Sequence, residues 1–288
     1  MPLFGAHMSI AGGYCNALIA ARDHGCDSVQ LFTKSPSQWA AKPISKSEAT
    51  QFRRTCREFG IRLPVGHDSY LINLASPDDA LFRRSVEAFV DEVRRANQLG
   101  LRYLVTHPGA HMGAGEPAGL RRVAQALDEV HDRCPTARVR ILLETTAGQG
   151  TCLGGRFEHL RDILRQVRNS RRLGVCLDTC HVVAAGYALD PDAEYKATFR
   201  AFGRLIGCRR IKVFHVNDSA KPLGSRVDRH AHLGKGHVGL GAFRRLVGDP
   251  RFADRPMILE TPKETAGNSD MDTVNLNLLR RLARSRRT

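Results

Sequence analysis

Eight short apolar segments recur at steady intervals along this chain of 288 residues, and longer stretches with helical periodicity separate them. Runs rich in Leu, Val and Ile that are apolar on both faces are typical of parallel strands covered by helices. The segments are LFGAH (3–7), SVQLF (28–32), IRLPVGH (61–67), RYLVTH (102–107), VRILLE (139–144), RLGVCLD (172–178), IKVFHV (211–216) and PMILE (256–260).

Alternating strand–helix units that fill the whole chain predict an α/β protein. A closed (β/α)8 TIM barrel needs about 250 residues, which this chain can supply, and an open doubly wound sheet is the alternative. No linker and no internal sequence repeat interrupts the pattern. We therefore expect a single TIM-barrel domain that covers residues 1–288.

Ionisable side chains stand at or beside the end of seven of these eight segments. In a parallel barrel these ends meet at one mouth, where the active sites of this fold are built. Several carboxylates buried together would repel one another or stay protonated unless a cation neutralised them. The seven residues are His7, His67, His107, Glu144, Asp178, His215 and Glu260.

Two neighbouring loops supply further candidates for a metal site. His181 follows Asp178 by three residues, and Asp228 and His230 lie two residues apart, which places them on one side of an extended segment. The candidate metal ligands are His67, His107, Glu144, Asp178, His181, His215, Asp228, His230 and Glu260. One metal takes about four to six ligands, so this set indicates two or three ions. Imidazole mixed with carboxylate suits zinc, and also manganese or iron.

The charge of the chain points to an anionic partner. It carries 44 Lys and Arg against 29 Asp and Glu, a formal net charge of +15, which attracts phosphates and releases counterions on binding. Divalent ions held close together are a common machinery for hydrolysing phosphodiesters, because they activate water and stabilise the leaving oxygen. The two observations together predict a nucleic-acid phosphodiesterase.

The remaining composition indicates an intracellular protein. Eight cysteines are scattered without a CxxC pair, so we expect reduced thiols rather than a disulfide framework. We expect Cys180 to be a packing residue whose side chain points away from Asp178 and His181. No apolar run approaches the ~20 residues of a membrane span, and no signal peptide is evident. A cytoplasmic location without membrane contact is the expectation.

Nine sequence blocks resemble those of endonuclease IV, the zinc-dependent apurinic/apyrimidinic endonuclease (deoxyribonuclease IV) of base-excision repair. The similarity runs from end to end, and the ordered ETTAGQG, DTCH and DRH blocks are highly specific. The blocks are GAHMSIAGG (5–13), LFTKSPSQW (31–39), HDSYLINLA (67–75), HPGAHMGAG (107–115), ETTAGQG (144–150), DTCHVVAAGY (178–187), HVNDS (215–219), GSRVDRH (224–230) and ILETP (258–262).

This resemblance implies a TIM barrel with three zinc ions, for which Mn²⁺ or Fe²⁺ could substitute. One ion would be held by His67, His107 and Glu144, a second by Glu144, Asp178, His215 and Glu260, and the third by His181, Asp228 and His230. The enzyme would cut 5′ to an abasic site, leaving a 3′-hydroxyl and a 5′-deoxyribose phosphate, and would also remove blocking groups from 3′ ends. Glu144 and Glu260 would be the catalytic carboxylates that position the attacking hydroxide.

The resemblance also implies contacts with double-stranded DNA. Family members flip the damaged nucleotide out of the stack and fill the gap with side chains, a role that Tyr70 and Leu71 match. Gln38, Asn73 and Arg229 lie in matching motifs and are expected to contact the DNA, Arg229 through a phosphate.

Two positions depart from the family pattern. Ser37 stands where the family often has an arginine that helps to fill the gap in the DNA, so affinity or flipping could be weaker here. Ala220 takes the place of a lysine that follows the seventh strand, and Lys221 comes one residue later. Neither change affects a candidate metal ligand.

Two other function classes stay open on the residues alone. A sugar isomerase or epimerase on a similar barrel would place acids and histidines at the strand ends around a single metal, although Asp228, His230 and the basic charge argue against it. A DNA-binding relative without catalysis is disfavoured because all nine ligand positions are filled. Because one chain supplies every candidate ligand, a monomer is expected.

Overall fold

The eight strands form one closed parallel barrel in the computed structural model, which describes residues 1–263, 265–266 and 269–284. Each strand pairs with its neighbour in the sequence, and the first and eighth strands pair to close the ring. In chain order the barrel strands are β1 (Leu3–His7), β2 (Ser28–Phe32), β3 (Val65–His67), β4 (Tyr103–Thr106), β5 (Arg140–Glu144), β6 (Leu173–Asp178), β7 (Ile211–His215) and β8 (Pro256–Leu259). The predicted TIM barrel is confirmed, and the open sheet is excluded.

Helices cover the outside of the barrel. Within the described residues they are α1 (Tyr14–Asp23), α2 (Lys46–Glu58), α3 (Asp79–Leu99), α4 (Glu116–Arg133), α5 (Phe157–Gln166), α6 (Thr179–Ala184), α7 (Asp192–Leu205), α8 (Leu240–Val247) and α9 (Met271–Arg284). Among these helices, none combines the length and the apolar character that crossing a membrane requires. The assignment of residues 1–288 to a single domain stays a prediction.

Local sequence signals fix where the helices begin and end. Before α2, the Ser45 hydroxyl accepts a hydrogen bond from the Glu48 amide (3.2 Å), and the Glu48 carboxylate accepts one from the Ser45 amide (2.8 Å). This reciprocal capping satisfies two otherwise unpaired donors. Asp78 caps α3, and Gly100 ends that helix with a φ of 77°, in the left-handed region that favours glycine.

Two apolar layers hold the barrel together. Large side chains such as Phe52, Phe89 and Phe243 fill the space between strands and helices. Inside the barrel a separate cluster contains Val65, Tyr103, Val105, Leu142, Cys176, Val213 and Ile258. Residues two apart on a strand face the same side, so the positions that follow these inward residues also face the barrel axis at its C-terminal mouth.

Candidate metal centre

Strand periodicity places the predicted ligands at one mouth of the barrel. Six of them lie two residues beyond an interior apolar residue and therefore point inward above it. These six pairs are Val65 and His67, Val105 and His107, Leu142 and Glu144, Cys176 and Asp178, Val213 and His215, and Ile258 and Glu260. The alternation that builds the core thus also assembles the polar site above it.

Glu144 lies at the centre of the cluster and is fully buried. Its Oε2 atom lies 3.3 Å from Nε2 of His67 and 3.3 Å from Nε2 of His107. Its Oε1 atom lies 2.9 Å from Nδ1 of His215 and 3.2 Å from Nδ1 of His181. One carboxylate therefore faces four imidazoles, two on each oxygen, which suits a ligand that bridges two cations.

Two groups of ligand atoms have the compactness of a metal site. The first consists of His67, His107 and Glu144, and the second of Glu144, Asp178, His215 and Glu260. Within each group, one ligand atom from every residue lies within 4.8 Å of all the others. Both groups agree with the sets that the sequence resemblance implied for the first two ions.

The third group is built around a short helix. Asp178 caps α6 by accepting a hydrogen bond from the His181 amide (2.9 Å), which explains the spacing of three residues between them. Asp178, His181 and His230 form a further compact group. Asp228 lies beside it, with its carboxylate oxygens 3.1 Å from Nε2 of His181 and 3.4 Å from Nε2 of His230. Antiparallel pairing of Asp218–Ser219 with His230–Ala231 holds this loop against the barrel.

Hydrogen bonds to backbone carbonyls orient three of the five candidate histidines. Nδ1 of His67, His181 and His230 donates to the carbonyl oxygens of Asp68 (2.9 Å), Thr145 (2.8 Å) and Glu260 (3.1 Å), respectively. Their Nε2 atoms are left to point at the carboxylates. Metal-bound histidines are held in the same way, with one nitrogen on a protein acceptor and the other on the ion.

Two of these inward nitrogens test whether the residues fit a metal. Nε2 of His181 and Nε2 of His230 are buried, and neither has a hydrogen-bond partner with acceptable geometry among the described residues. Burying such an atom without a partner costs about 1–3 kcal/mol. Orphaned imidazole nitrogens that converge with carboxylates are the donor set that zinc prefers, so the residues fit a metal centre.

The electrostatics of the cluster also favour bound cations. Burial opposes ionisation of Glu144, but the neighbouring His215 and His107 hold the pKa of its carboxyl well below its usual range. Burial lowers the pKa of His67, whereas the Glu144 carboxylate raises it, with a net pKa of about 9. Glu144 is therefore ionised although it is buried, and it requires positive charge in direct contact, which imidazolium groups or bound metal ions can supply.

Two buried amides behind the ligands were not predicted from the sequence. Gln30 of β2 donates to Oε1 of Glu260 (2.5 Å) and to Nδ1 of His7 (3.0 Å), and its oxygen accepts from Nε2 of His215 (2.8 Å). Asn217 donates to Oδ2 of Asp178 (2.7 Å) and accepts from the Glu260 amide (2.8 Å). The only signal in the sequence was an uncharged amide inside, or directly after, a buried apolar run.

The predicted DNA contacts surround this mouth. Tyr70 is 64% exposed, and its ring packs against Phe32 (5.4 Å between centroids) and His107 (6.5 Å), which restricts its movement on the rim. Leu71 beside it is half-buried, whereas Gln38 lies exposed on the loop after β2. These positions agree with contact to a ligand at the mouth, but the DNA-binding roles themselves stay predictions.

Asn73 and Arg229 differ in how free their side chains are. The Asn73 amide donates to the Ala110 carbonyl (3.0 Å) and accepts from the Ala110 amide (2.9 Å) and the Ala75 amide (3.1 Å). It therefore joins two rim loops before any DNA is bound. Arg229 is exposed, and one of its guanidinium nitrogens donates to the carbonyl of the preceding Asp228 (3.1 Å).

A cavity of about 520 Å³ opens beside the ligands. Its wall includes Tyr70, His107, Gln149, His181 and Asp228, so it reaches from the rim down to two of the compact groups. The space is large enough for a sugar phosphate and is open to solvent on one side. A molecule bound here would touch both the exposed Tyr70 and the candidate ligands His107 and His181.

The positions that depart from the family pattern lie at the same mouth. Ser37 and Lys221 are both exposed, and Ala220 pairs through its amide with the Arg229 carbonyl (2.9 Å). Cys180 is buried as expected, but its Sγ lies 3.6 Å from the Arg229 carbonyl and close to Asp228 and His230. Its side chain therefore turns toward the third group of ligands, because this face of α6 packs against the Arg229 loop.

Comparisons with known proteins agree with this geometry. A family model, AP_endonuc_2, described as a xylose isomerase-like TIM barrel, matches residues 18–282, a range that contains all nine candidate ligands. The protein of Chloroflexus aurantiacus described as probable endonuclease 4 is 55% identical over 284 residues, which is 98% of either chain. The crystal structure of endonuclease IV from Thermus thermophilus aligns with a TM-score of 0.87 and 36% identity over 99% of this chain and 100% of that one. A D-tagatose 3-epimerase-like protein aligns with a TM-score of 0.73, but at 18% identity this likeness concerns the fold alone.

Proposed function

The chain belongs to the endonuclease IV family of metal-dependent DNA-repair endonucleases, and we propose that it hydrolyses the phosphodiester 5′ to abasic sites in double-stranded DNA with three zinc ions. One observation carries this proposal: nine histidines and carboxylates converge on one mouth, and the inward nitrogens of the histidines face the carboxylates. The products would be a 3′-hydroxyl and a 5′-deoxyribose phosphate. Blocked 3′ ends would be cleaned at the same site.

The proposed ligand sets follow the compact groups. His67, His107 and Glu144 would hold one ion, and Glu144 would share a second with Asp178, His215 and Glu260. The remaining ion would be bound by His181, Asp228 and His230. Three divalent ions would carry six positive charges, whereas the carboxylates of Glu144, Asp178, Asp228 and Glu260 carry four negative ones. The loaded site would therefore keep a net positive charge that attracts a phosphate. Mn²⁺ or Fe²⁺ could replace zinc, because the donor set is nitrogen and oxygen.

Bound ions would supply Lewis-acid stabilisation of the phosphate and of the departing 3′-oxygen, and would lower the pKa of the attacking water. The protein's own contribution is orientation. One oxygen of Glu144 and one of Glu260 lie 2.9 and 3.1 Å from the same atom, Nδ1 of His215, and the two carboxylates would position the attacking water. Gln30 and Asn217 keep Glu260 and Asp178 from rotating, because each amide bonds to one of these carboxylates.

Recognition of the abasic site would use the rim. Tyr70 and Leu71 would fill the gap left by the flipped nucleotide, while Gln38 and Arg229 would contact the backbone. Asn73 would act through the rim loops that it joins. Because one chain supplies all nine ligands, a monomer in the cytoplasm would suffice for the reaction.

A duplex with one tetrahydrofuran abasic analogue tests the proposal, because the analogue blocks β-elimination and can only be cut by hydrolysis. We expect zinc-loaded protein to nick it on the 5′ side and to leave a 3′ end that a DNA polymerase extends. Glu144→Gln should lower kcat/KM by more than about 100-fold, beyond the range of substitutions behind the ligands. Glu194→Gln, on the exposed face of α7, is the matched control and should be fully active. Equal nicking by both variants, or no nicking by the metal-loaded wild type, would refute the assignment.

A further inference from the structure

The opposite end of the barrel carries an unusual concentration of positive charge. Four loops lead into β4, β5, β6 and β7, and they contain seven arginines and no aspartate or glutamate. The loops are residues 100–102, 134–139, 167–172 and 206–210. They open at the N-terminal mouth, the full length of the strands away from the metal ligands, so the proposed reaction makes no use of them.

Five cations occupy this mouth: one at the start of each of β4, β5 and β8, and two, Arg210 and Lys212, at the start of β7 beside β6. Arg102 precedes β4, Arg140 opens β5, and the Arg140 amide donates to the Arg102 carbonyl (3.1 Å). The Arg210 guanidinium bonds to the Leu173 carbonyl at the start of β6 (3.5 Å), Lys212 is the second residue of β7, and Arg255 precedes β8. We call Arg102, Arg140, Arg210, Lys212 and Arg255 the N-terminal cation cluster.

Lys212 shows how closely this cluster is packed. A Cβ added at Gly174 would lie 3.1 Å from Cγ of Lys212 and 2.7 Å from a methyl of Leu142, so the lysine stem lies over the glycine at the edge of the barrel core. Burial lowers the pKa of Lys212, and the nearby charges of Arg255, Arg140, Arg210 and Arg102 lower it further. The five side chains therefore repel one another electrostatically within a small area.

Arg168 of these loops pairs with Asp128 (3.2 Å) and Asp132 (2.7 Å), but the five cations of the cluster have no acidic partner in the described part of the chain. No carboxylate lies within ion-pair distance of any of the five side chains, and Nε of Arg255 is buried without a hydrogen-bond partner among the described residues. Some arginines of the outer helices, in contrast, have acidic partners. Arg133 pairs with Glu87 (2.5 Å) and Glu129 (3.2 Å), and Arg122 pairs with Asp79 (2.6 Å). What distinguishes this mouth is that five cations without an acidic partner lie beside the starts of neighbouring strands.

The basic surface extends beyond the cluster. Arg138, Arg171 and Arg209 are exposed on the loops before β5, β6 and β7, and none of them has an ion pair among the residues described. A surface with cations along several neighbouring strands is too extended for one small anion to neutralise. It matches the repeated charges of a phosphate backbone, whose binding releases counterions from several contacts at once.

We propose that the N-terminal mouth of the barrel is a second nucleic-acid surface, which binds the phosphate backbone of a duplex other than the one in the catalytic mouth. The cation cluster supplies the contacts nearest the barrel axis, and the exposed loop arginines extend them. Binding there needs no base contact and is independent of sequence and of damage. The protein could hold one duplex while it searches another.

A charge-removal variant tests this surface. Arg102→Gln, Arg140→Gln and Lys212→Gln are combined, and the control combines Arg57→Gln, Arg83→Gln and Arg200→Gln, three exposed arginines of the outer helices. Both variants lose three positive charges. Fluorescence anisotropy measures the affinity of metal-loaded protein for a short undamaged duplex across a range of salt. Nicking of a tetrahydrofuran duplex reports the catalytic mouth separately.

We expect the first variant to bind undamaged duplex at least tenfold more weakly at low salt, with a salt slope smaller by up to about 2.7, since each lost phosphate contact removes about 0.9. Its kcat/KM for nicking should stay within about twofold of wild type, and the control should lose less than threefold in affinity. Equal losses in both variants would overturn the proposal, since net charge alone would then explain them. Stoichiometric binding of inorganic phosphate with unchanged duplex affinity would also overturn it, because the site would then serve a small anion.

If the triple variant does not fold, the single variant Arg102→Gln is measured in its place, because Arg102 is exposed. It should weaken duplex binding about two- to fivefold and lower the salt slope by about 0.9. No change in either quantity would contradict the proposal.

Discussion

Replacing Gln30 by leucine removes the amide that joins two candidate metal ligands inside the barrel. Gln30 is fully buried and connects Glu260 and His215 through hydrogen bonds of 2.5 and 2.8 Å. Leucine occupies a similar volume but offers neither a donor nor an acceptor. The change therefore isolates the orientation of the ligands from the ligands themselves.

Two effects should follow from the lost contacts. The His215 Nε2–H group would be buried without an acceptor, which costs about 1–3 kcal/mol of folding free energy. Without the amide, Glu260 and His215 can rotate away from the binding geometry, and outer-shell partners of this kind contribute about 10–100-fold to metal affinity. We therefore expect zinc to bind Gln30→Leu about 10–100-fold more weakly than wild type, a loss of about 1.4–2.7 kcal/mol.

Competition against a chromophoric chelator measures the zinc affinity, and urea unfolding of the metal-free protein measures stability. Gln98→Leu is the matched control. Gln98 lies on α3, away from the candidate ligands, and the change removes the hydrogen bond from its Nε2 to the Ile44 carbonyl (2.6 Å). The control should lose stability but bind zinc like wild type. If Gln30→Leu and Gln98→Leu bound zinc equally well, the claim that Gln30 orients the ligands would be refuted.

Three further predictions concern the frame that holds the site. Glu92→Ala should destabilise the protein by about 3 kcal/mol in urea unfolding, because the buried Lys34 ammonium loses its partner at 2.7 Å and keeps only the more distant Asp91 at 3.6 Å. A loss below about 1 kcal/mol would contradict the importance of the buried pair. Burial lowers the pKa of the His131 imidazole to about 4. The contribution of the neutral ring to the free energy of unfolding is therefore complete above the pKa of the unfolded state, 6.5, and is lost as the pH falls toward 4. Between pH 7 and 4.5 the free energy of unfolding of the wild type should fall by about 2 kcal/mol more than that of His131→Leu, a value already reduced for partial solvent screening. Parallel pH profiles of the two proteins would argue against this prediction. Gly5→Ala would place a Cβ 2.2 Å from the Ser28 carbonyl oxygen. We therefore expect the free energy of unfolding, measured by thermal unfolding, to fall by about 3 kcal/mol or more. A Tm equal to that of the wild type would show that β1 and β2 can move apart to accommodate the methyl group.

Much of the frame could be predicted because strand periodicity carries the information. Each ligand at a strand end follows an inward apolar residue by two positions, as Leu142 precedes Glu144 and Val213 precedes His215. The apolar runs located all eight barrel strands, and the TIM barrel is confirmed. The strands differ from the prediction mainly at their starts: β3 begins at Val65 rather than at residue 61, because Leu63 has a φ of 48° and breaks the extended backbone.

The residues that orient the site could not be predicted in the same way. Gln30 and Asn217 act through contacts between strands that are distant in the sequence, and an uncharged amide gives no electrostatic signal of its own. The side chain of Cys180 turns toward Asp228 and His230 because of the path of the Arg229 loop, which no local pattern encodes. Net charge was visible in the composition, but its concentration at the N-terminal mouth depends on which strands the closed barrel makes neighbours.

The number of metal ions per chain tests the central claim most directly, because it distinguishes this centre from the single-metal sites of sugar isomerases. Elemental analysis of protein purified with zinc should find about three ions per chain in the wild type and about two in His230→Ala, which loses one ligand of the third proposed site. An Asp192→Asn control, with the substitution on the exposed first turn of α7, should retain about three. One ion per chain in the wild type, with no change in His230→Ala, would contradict the account.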